Sequence, residues 1–325
     1  MAKLNLREAV AKGLREALDG DDRVFLMGED IGAYSGAYAV TKGFLNKYGP
    51  DRIKDTPISE SAIVGSAIGA AMGGLRPIIE IMTINFLLLA MDQVVNHAAK
   101  LRYMSNGQLS VPIIIRTVTG GGGQLGATHS QNFEGWFASI PGLKVAVPSN
   151  AYDALGLLRT SVESEDPIIF AEHALLYNHS EEVPNESYKI PFGQARIKKT
   201  GSDITIIAYS RMVHVALEAA EKLAEKGIEA EVVDLLTLRP LDVESVIESV
   251  KKTNNAVVVE ETWRTGGFGA ELASTIQEKA FDFLDGPVGR IGGVEVPAPY
   301  AASLEIATLP NAAQVIKMVE DLLGI

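Results

Sequence analysis

Glu60 is the residue whose surroundings most directly require a chemical explanation. It opens the run ESAIVGSAIGAAMGG (60–74), the rest of which is small or apolar, and no Lys or Arg follows it until Arg76. One interpretation is structural, because an acid in the first turn of a helix capped by Ser59 interacts favourably with the helix dipole. The other is functional, because a buried carboxylate can exchange a proton with a ligand nitrogen, which offsets the cost of burial. We expect the run to be buried, and both interpretations stay open at this point.

A glycine-rich segment, TGGGGQLGATHSQ (119–131), follows the apolar run PIIIRTV (112–118) and ends near His129. Four consecutive glycines lose much conformational entropy on folding, so they indicate a positive φ or a close backbone approach. The segment matches neither G-x-x-x-x-G-K-[ST] nor G-x-G-x-x-G, which argues against a nucleotide phosphate loop. We interpret it as the flexible wall of a site to which His129 contributes.

A second glycine motif, RTGGFGAE (264–271), follows the apolar run AVVVEE (256–261) and precedes a predicted helix. The motif lacks the third glycine of the dinucleotide fingerprint and lies late in the chain rather than in a first βαβ unit. It therefore does not predict nicotinamide binding.

Among the aromatic residues, Phe86 has the most suggestive position. It follows the predicted strand PIIEIM, and a parallel sheet presents ligands at the carboxyl ends of its strands. Phe86 is therefore a candidate for stacking on a ligand ring. Trp136 and Trp263 are predicted to lie in the core.

The composition excludes several classes of function. The chain has 325 residues, a net charge of −12 and no cysteine. The charge argues against nucleic acid or an anionic membrane as partner, and the lack of cysteine excludes thiolate catalysis and Cys-ligated metals. The five histidines show no metal-ligand spacing. The first residues, MAKLNLREAVAKGLREAL, predict an amphipathic helix rather than a signal peptide, so we expect a cytoplasmic chain or a mature chain of an organelle matrix or stroma.

Short runs rich in Val and Ile alternate with helix-length segments, which is typical of α/β domains with parallel sheets. The predicted strands of the first half are 24–28, 77–81, 112–118, 143–148 and 167–172, and its predicted helices are 59–73, 86–104 and 151–163. The pattern breaks in a polar, proline-containing stretch, residues 180–202, and restarts at about residue 203. We predict two α/β domains, residues 1–185 and 201–325, joined by a linker at 186–200.

Eight motifs, recurring in order along almost the whole chain, are similar to those of one enzyme family. They are MGEDIG (27–32), DTPISES (55–61), NFLLLAMDQ (85–93), ATHSQ (127–131), IPGLKVAVPS (140–149), RPLD (239–242), RTGGFGA (264–270) and VPAPYA (296–301). The chain resembles the β subunits of the thiamine-diphosphate-dependent 2-oxo acid dehydrogenases, of the pyruvate-decarboxylating type. The resemblance implies a transketolase-like pyrimidine-binding domain followed by a smaller transketolase C-terminal domain.

The resemblance also assigns roles to single residues. Glu60 matches the acid that bonds the aminopyrimidine ring and favours its imino tautomer, which takes up the proton lost by the thiazolium carbon. Phe86 matches the aromatic residue that stacks on this ring, and Met82 matches a residue that lines it. His129 matches the histidine that stabilises developing charge or assists acyl transfer to a lipoyl sulfur.

The family further implies a monovalent cation, K⁺, in this subunit. The site maps to the carbonyl groups of Ile113, Ser161, Val162 and Ser164 and to the side chain of Asp166. The chain departs from the family pattern here, because Ser164 stands where relatives often have Asp and Asp166 where some have Asn.

One motif of thiamine-diphosphate enzymes is absent, namely the G-D-G that holds the diphosphate through Mg²⁺. The resemblance assigns that half of the site, with its Mg²⁺, to an α subunit in an α₂β₂ tetramer that also pairs two β subunits. It implies that the chain is inactive without the α subunit and that its C-terminal region binds a lipoyl acyltransferase. The expected substrate is a small 2-oxo acid.

Three alternatives remain at this stage. One is the β subunit of a branched-chain 2-oxo acid or acetoin dehydrogenase, although NFLLLAMDQ and DTPISE favour the pyruvate type. A standalone transketolase-type enzyme is disfavoured by the missing G-D-G. A non-catalytic scaffold is disfavoured by Glu60, Phe86 and His129 occurring together.

Overall fold

The computed structural model describes residues 1–325 and divides the chain into two compact units. The first unit comprises residues 1–119 and 136–192, and the second comprises residues 120–135 and 193–325. The main crossing, between Phe192 and Gly193, falls inside the predicted linker. The sequence pattern did not indicate that residues 120–135, which contain the glycine-rich segment, belong to the second unit.

The first unit is built around a parallel sheet. Its strands are β1 (Ala2–Asn5), β2 (Val24–Gly28), β3 (Ile53–Asp55), β4 (Arg76–Ile81), β5 (Ile114–Thr119), β6 (Lys144–Ala146), β7 (Ile168–His173) and β8 (Ser180–Val183). Six of them lie in the order β6-β7-β5-β4-β2-β3, and all their pairings are parallel. Ile79, Ile115 and Ile169 align across three central strands and are fully buried. Strands that are apolar on both faces are what a sheet covered by helices requires.

The helices of this unit follow the predicted alternation. They are α1 (Leu6–Gly20), α2 (Phe44–Tyr48), α3 (Glu60–Met72), α4 (Ile84–Leu87), α5 (Leu101–Met104), α6 (Glu134–Ala138), which contains the point where the chain returns to this unit, and α7 (Ala151–Val162). Helix α1 begins at Leu6 rather than with the first residues of the predicted amphipathic helix, because Asn5 forms a capping box with Glu8.

The prediction of one helix over 86–104 is wrong. The segment consists of α4, a 3₁₀ turn (88–90), a π-helical turn (93–98) and α5. The π turn carries a bond from the Ala99 N–H to the Val94 carbonyl at 3.0 Å. It packs against α3, where Gly65 leaves room for the Gln93 side chain, since a Cβ at Gly65 would lie 3.2 Å from Gln93 Oε1.

The second unit has a five-stranded sheet in the order β14-β13-β10-β11-β9. The strands of this sheet are β9 (Arg196–Lys199), β10 (Ile204–Ala208), β11 (Ala230–Asp234), β13 (Ala256–Trp263) and β14 (Gly289–Gly293), and the short strand β12 (Thr237–Arg239) lies outside it. Its helices are α8 (Met212–Ala224), α9 (Val243–Thr253), α10 (Phe268–Ala280), α11 (Ala302–Thr308) and α12 (Ala312–Leu323). Strand β9 is antiparallel to β11, and the other pairings are parallel. The restarted α/β pattern is therefore confirmed.

Two strands lie in the stretch whose polarity broke the predicted pattern. β8 (SEEV) pairs only with β1, and β9 (RIKK) lies at the edge of its sheet. Edge strands keep one side in solvent and accept charged side chains, so their polarity resembles that of a loop. No helix of the structure has both the length and the apolar character needed to cross a membrane.

Candidate functional site

The carboxyl ends of three neighbouring parallel strands define the candidate site in the first unit. Glu29 follows β2, Glu60 begins α3 after β3, and Met82 and Phe86 follow β4. Strand β2 pairs with both β3 and β4, so these four residues emerge at the same edge of the sheet. Ligands of open parallel sheets bind at this edge.

Glu60 is buried, with 6% of its surface exposed, and is the first residue of α3. Its side chain forms no hydrogen bond or ion pair within the chain. Ser59 occupies the N-cap position but its side chain makes no capping hydrogen bond, contrary to the structural interpretation of the sequence. The expected burial of the whole run is also only partly correct, because Ala62, Ser66 and Gly69 leave one face of α3 exposed. A largely buried side chain whose carboxylate has no partner in the chain leaves that carboxylate available to a ligand group at this position.

Glu29 is a second buried acid near Glu60, and it was not among the residues predicted to form the site. Burial raises the pKa of the Glu29 carboxyl above its ordinary value, and the charge of Glu60 raises it further. Its Oε1 atom has no hydrogen-bond partner. The available signal was an acid placed directly after the wholly buried strand VFLMG.

Phe86 and Met82 are both half-buried, so each keeps part of its surface available at the edge of the sheet. Thr83 fixes the start of the short helix α4, because its hydroxyl oxygen accepts hydrogen bonds from the Asn85 amide N–H at 3.4 Å and from Asn85 Nδ2 at 2.7 Å. The prediction that Trp136 lies in the core is wrong, since 49% of its surface is exposed. Trp263 is half-buried.

His129 belongs to the second unit and is exposed. Its N–H donates to the carbonyl of Gly126 at 3.2 Å, and the Thr128 hydroxyl lies 2.9 Å from its Nδ1. The backbone before it is unusual, because Gly120, Gly122 and Gly126 have positive φ and Gln124 does too. The expected positive φ is thus confirmed.

The glycine-rich segment is held by carboxylates rather than loose. The Gly121 N–H donates to Glu261 Oε1 at 2.7 Å, while Gly122 and Gln124 donate to the two oxygens of Glu305 at 3.0 and 2.8 Å. Both acids are buried. The interpretation of this segment as a flexible wall therefore needs correction, because its backbone is anchored at three amides.

The motif RTGGFGAE has a packing explanation. Glu260, at the end of the apolar run of β13, accepts a hydrogen bond from the Gly269 N–H at 2.9 Å. A Cβ at Gly267 or Gly269 would lie 2.4 or 2.6 Å from Glu260 Oε1. Burial raises the pKa of Glu260 to about 7. These glycines make room for a buried carboxyl group.

The predicted cation ligands lie close to basic side chains of the chain itself. Nη1 of Arg76 donates to the carbonyls of Val162 at 2.9 Å and Ser164 at 3.1 Å. The Ile113 and Ser161 carbonyls accept backbone N–H groups of Ile168 and Ser164.

Asp166, the predicted side-chain ligand, forms ion pairs with Arg102 at 2.5 Å and Lys144 at 3.1 Å. Burial acts to raise the pKa of Asp166, but the bonds from Lys144 and Arg102 outweigh it and lower that pKa. With its carboxylate neutralised and two carbonyls bonded to a guanidinium, the set does not fit a further cation held by Asp166.

Comparisons with known proteins agree with this architecture. Residues 2–179 match the family model of the transketolase pyrimidine-binding domain, and residues 193–315 match that of the transketolase C-terminal domain. A solved structure described as a split-gene transketolase, an inactive β4 tetramer, superimposes with a TM-score of 0.80 at 25% identity and covers 99% of this chain and 98% of its own.

Relatives of known name are more similar in sequence. The mitochondrial pyruvate dehydrogenase E1 component subunit beta-2 of Oryza sativa subsp. japonica is 47% identical over 97% of this chain and 85% of its own length. The pyruvate dehydrogenase E1 component subunit beta of Rickettsia conorii is 46% identical over 98% of each chain. The chain therefore belongs to the family of pyruvate dehydrogenase E1 component β subunits, with the two transketolase-type domains that its sequence predicted.

Proposed function

We propose that this chain supplies the pyrimidine half of a thiamine diphosphate site and, together with an α subunit, decarboxylates pyruvate and passes the acetyl group to a lipoyl acyltransferase. The observation that carries the proposal is the pair of buried acids, Glu29 and Glu60, at the carboxyl edge of the sheet. Neither acid has an ion-pair partner, and Glu29 has an unbonded oxygen.

Glu60 acts as the acid that exchanges a proton with a ring nitrogen of the aminopyrimidine. A buried carboxylate that lacks a partner binds such a nitrogen strongly, because the bond offsets the cost of burial. Burial raises the pKa of the neighbouring Glu29, and the charge of Glu60 raises it further, so the two acids lie within electrostatic reach of each other.

Phe86 and Met82 hold the ring in place. A half-buried aromatic face offers stacking area, and a thioether adapts its shape to an aromatic neighbour. When bound, thiamine diphosphate supplies the chemistry of 2-oxo acid decarboxylation.

His129 acts on the acyl group rather than on the cofactor ring. When the Thr128 hydroxyl donates to Nδ1, the proton of the neutral imidazole lies on Nε2, which is then a hydrogen-bond donor. Such a donor can stabilise developing negative charge or pass a proton to an entering lipoyl sulfur.

The diphosphate is held elsewhere. The chain has no G-D-G motif, so we assign the diphosphate and its Mg²⁺ to the α subunit of an α₂β₂ tetramer. The exposed small-residue face of α3 suits close packing against another chain. The isolated chain is then expected to bind thiamine diphosphate weakly.

The variant Glu60→Gln, assembled with the cognate α subunit, tests the proposal. Gln keeps the shape and one hydrogen bond but cannot exchange a proton, so decarboxylation with an artificial electron acceptor should fall by about 10²–10⁴-fold. Cofactor binding by calorimetry should persist. Glu163→Gln, at an exposed acid of the same unit, is the control and should keep full activity. Near-normal turnover by E60Q would refute the proposed role.

A further inference from the structure

We propose that Glu305 is a positioning residue that fixes the glycine-rich segment, here Gly120 to Gly126, and thereby sets the place of His129. The inference rests on the proposed function only in giving His129 a role in acyl transfer. The anchoring itself follows from contacts within the second unit.

The two oxygens of Glu305 are both engaged by the segment. Oε1 accepts the Gly122 N–H at 3.0 Å and Oε2 accepts the Gln124 N–H at 2.8 Å. Glu305 lies in the first turn of α11 and only 1% of its surface is exposed. Hydrogen bonds between an ionised oxygen and a backbone N–H are among the stronger ones in proteins.

Glu305 has no ion-pair partner within the chain, so these two N–H groups are its compensation for burial. Glu261, the other acid that touches the segment, differs in this respect, because Arg211 pairs with its Oε2 at 3.1 Å. An ionised group that loses its only donors in a buried place is strongly disfavoured. The two N–H groups therefore stabilise the buried Glu305 carboxylate, and the carboxylate in turn holds the backbone of the segment in one conformation.

The segment needs such an anchor because glycine adopts many conformations at little cost. Its backbone alternates through positive φ values of 94° at Gly120, 91° at Gly122 and 56° at Gln124. Gly126 lies against the ring of Tyr300, since a Cβ there would come within 2.4 Å of that ring. His129 continues from this point through its bond to the Gly126 carbonyl. Loss of the hydrogen bonds from the Gly122 and Gln124 N–H groups would therefore make the backbone more mobile directly before His129.

The isosteric change Glu305→Gln separates anchoring from simple packing. Gln fills the same volume, but its amide nitrogen faces an N–H donor where a carboxylate oxygen stood, so only one of the two bonds can form. Asp at this position keeps the charge but is one methylene shorter, and it should reach at most one of the two amides. Glu295→Gln is the matched control, because Glu295 also accepts two hydrogen bonds, from Thr265, and lies exposed in the same unit.

The first measurement is hydrogen exchange of the isolated chain, resolved to residues 120–130. We expect E305Q to speed exchange at Gly122 or Gln124 about tenfold or more, while E295Q matches the unchanged chain and far-UV circular dichroism stays the same. Unaltered exchange in E305Q would overturn the proposal. Should E305Q fail to fold, E305D gives the same readout, and loss of folding in both would also overturn it, since it would show a role for the whole unit.

The second measurement uses the tetramer with its α subunit. E305Q should reproduce the defect of His129→Ala, a fall in the rate of lipoyl-domain acetylation with little change in decarboxylation or in KM for pyruvate. An equal fall in both reactions would mean that Glu305 does not act through His129. If exchange is faster in E305Q but turnover is normal in E60Q, the anchoring role of Glu305 is supported while the proposed function of the chain is refuted.

Discussion

Arg116 forms a bidentate ion pair with Glu172 inside the sheet of the first unit, in which Nε donates to Oε1 at 2.7 Å and Nη2 donates to Oε2 at 2.8 Å. The two residues lie on the neighbouring strands β5 and β7, and 2% and 0% of their surfaces are exposed. Glu80 on β4 pairs with the remaining Nη1 at 2.7 Å, and the Tyr177 hydroxyl donates to Glu172 at 2.8 Å. A buried guanidinium thus joins three adjacent strands.

We expect Arg116→Met to destabilise the chain by about 3–5 kcal/mol, because it leaves the buried Glu172 carboxylate and the partly buried Glu80 carboxylate without their cation. Urea unfolding followed by circular dichroism measures the change. Arg23→Met is the control, since Arg23 pairs with Asp21 at the surface and such pairs contribute about 0–1 kcal/mol. Equal effects of the two variants would show that the buried group is not a stabilising element.

The pH dependence of stability should carry the signature of Glu260. Burial raises the pKa of this group from an ordinary 4.5 to about 7, with Glu134 adding to the rise and the Gly269 N–H, Arg290 and Tyr209 opposing it. Because the native state holds the proton more tightly, the unfolded state releases it first as the pH rises. Stability is therefore lost between about pH 4.5 and 7 and levels off above that.

The variant Glu260→Gln removes this titration. The free energy of unfolding of E260Q minus that of the unchanged chain should rise by about 3 kcal/mol between pH 4.5 and pH 8. This figure follows from a pKa about 2.5 higher in the native state, at about 1.36 kcal/mol for each pH unit. Urea titrations at four pH values measure it. Glu320→Gln, which alters the partly exposed Glu320–Lys226 pair, should show no comparable trend. A flat difference for E260Q would contradict the assignment.

Monovalent cations should have little effect on this chain. Arg76 already donates to the Val162 and Ser164 carbonyls, and Lys144 and Arg102 neutralise Asp166. Arg76 also pairs with Glu165, so no carboxylate at this place is left unpaired to hold a further positive ion. The Tm in KCl, NaCl and choline chloride at equal ionic strength should agree within about 1 °C.

The variant Arg76→Met frees the two carbonyls and should create a dependence on K⁺, because an ion that binds only the native state raises Tm with its concentration. Lys12→Met, a basic residue of the same unit on α1, should not. A rise of several degrees in K⁺ over choline for the unchanged chain would contradict the prediction and restore the cation site implied by the family resemblance.

The sequence predicted the elements that rest on periodicity and on wholly apolar strands. It missed those fixed by partners distant along the chain. Strands β8 and β9 are polar because they lie at edges, and the interrupted 86–104 segment packs closely against α3 at Gly65.

The same distinction holds for the candidate site. Glu60 was recognisable because a lone acid opens an apolar run, whereas the local signal of Glu29 was only its place after β2, and its nearness to Glu60 follows from the pairing of β2 with β3. Glu305 was invisible in sequence, since its partners Gly122 and Gln124 precede it by more than 180 positions. Buried polar partners of this kind carry no local pattern.

The end of the chain offers the last prediction. Val315 and Val319 of α12 are fully buried and fix the helix on the second unit, and Gly324 ends it with a positive φ of 72°. Ile325, at 72% exposure, extends beyond this anchor. Asp282, Asp285 and Asp321 are exposed acids of the same unit. The exposed apolar side chain of Ile325 and the exposed acids of the same unit suit a small basic domain, which charge would steer at low salt.

Deleting Leu323 to Ile325 should therefore weaken binding of the lipoyl acyltransferase to the tetramer by about tenfold or more, with the difference shrinking as salt rises. Decarboxylation should stay near normal, because the buried part of α12 is retained. Surface plasmon resonance at two salt concentrations measures the binding, and Ile197→Ala, at an exposed apolar residue of β9, serves as control. Tight binding by the truncated tetramer, equal at both salt concentrations, would place the docking surface elsewhere.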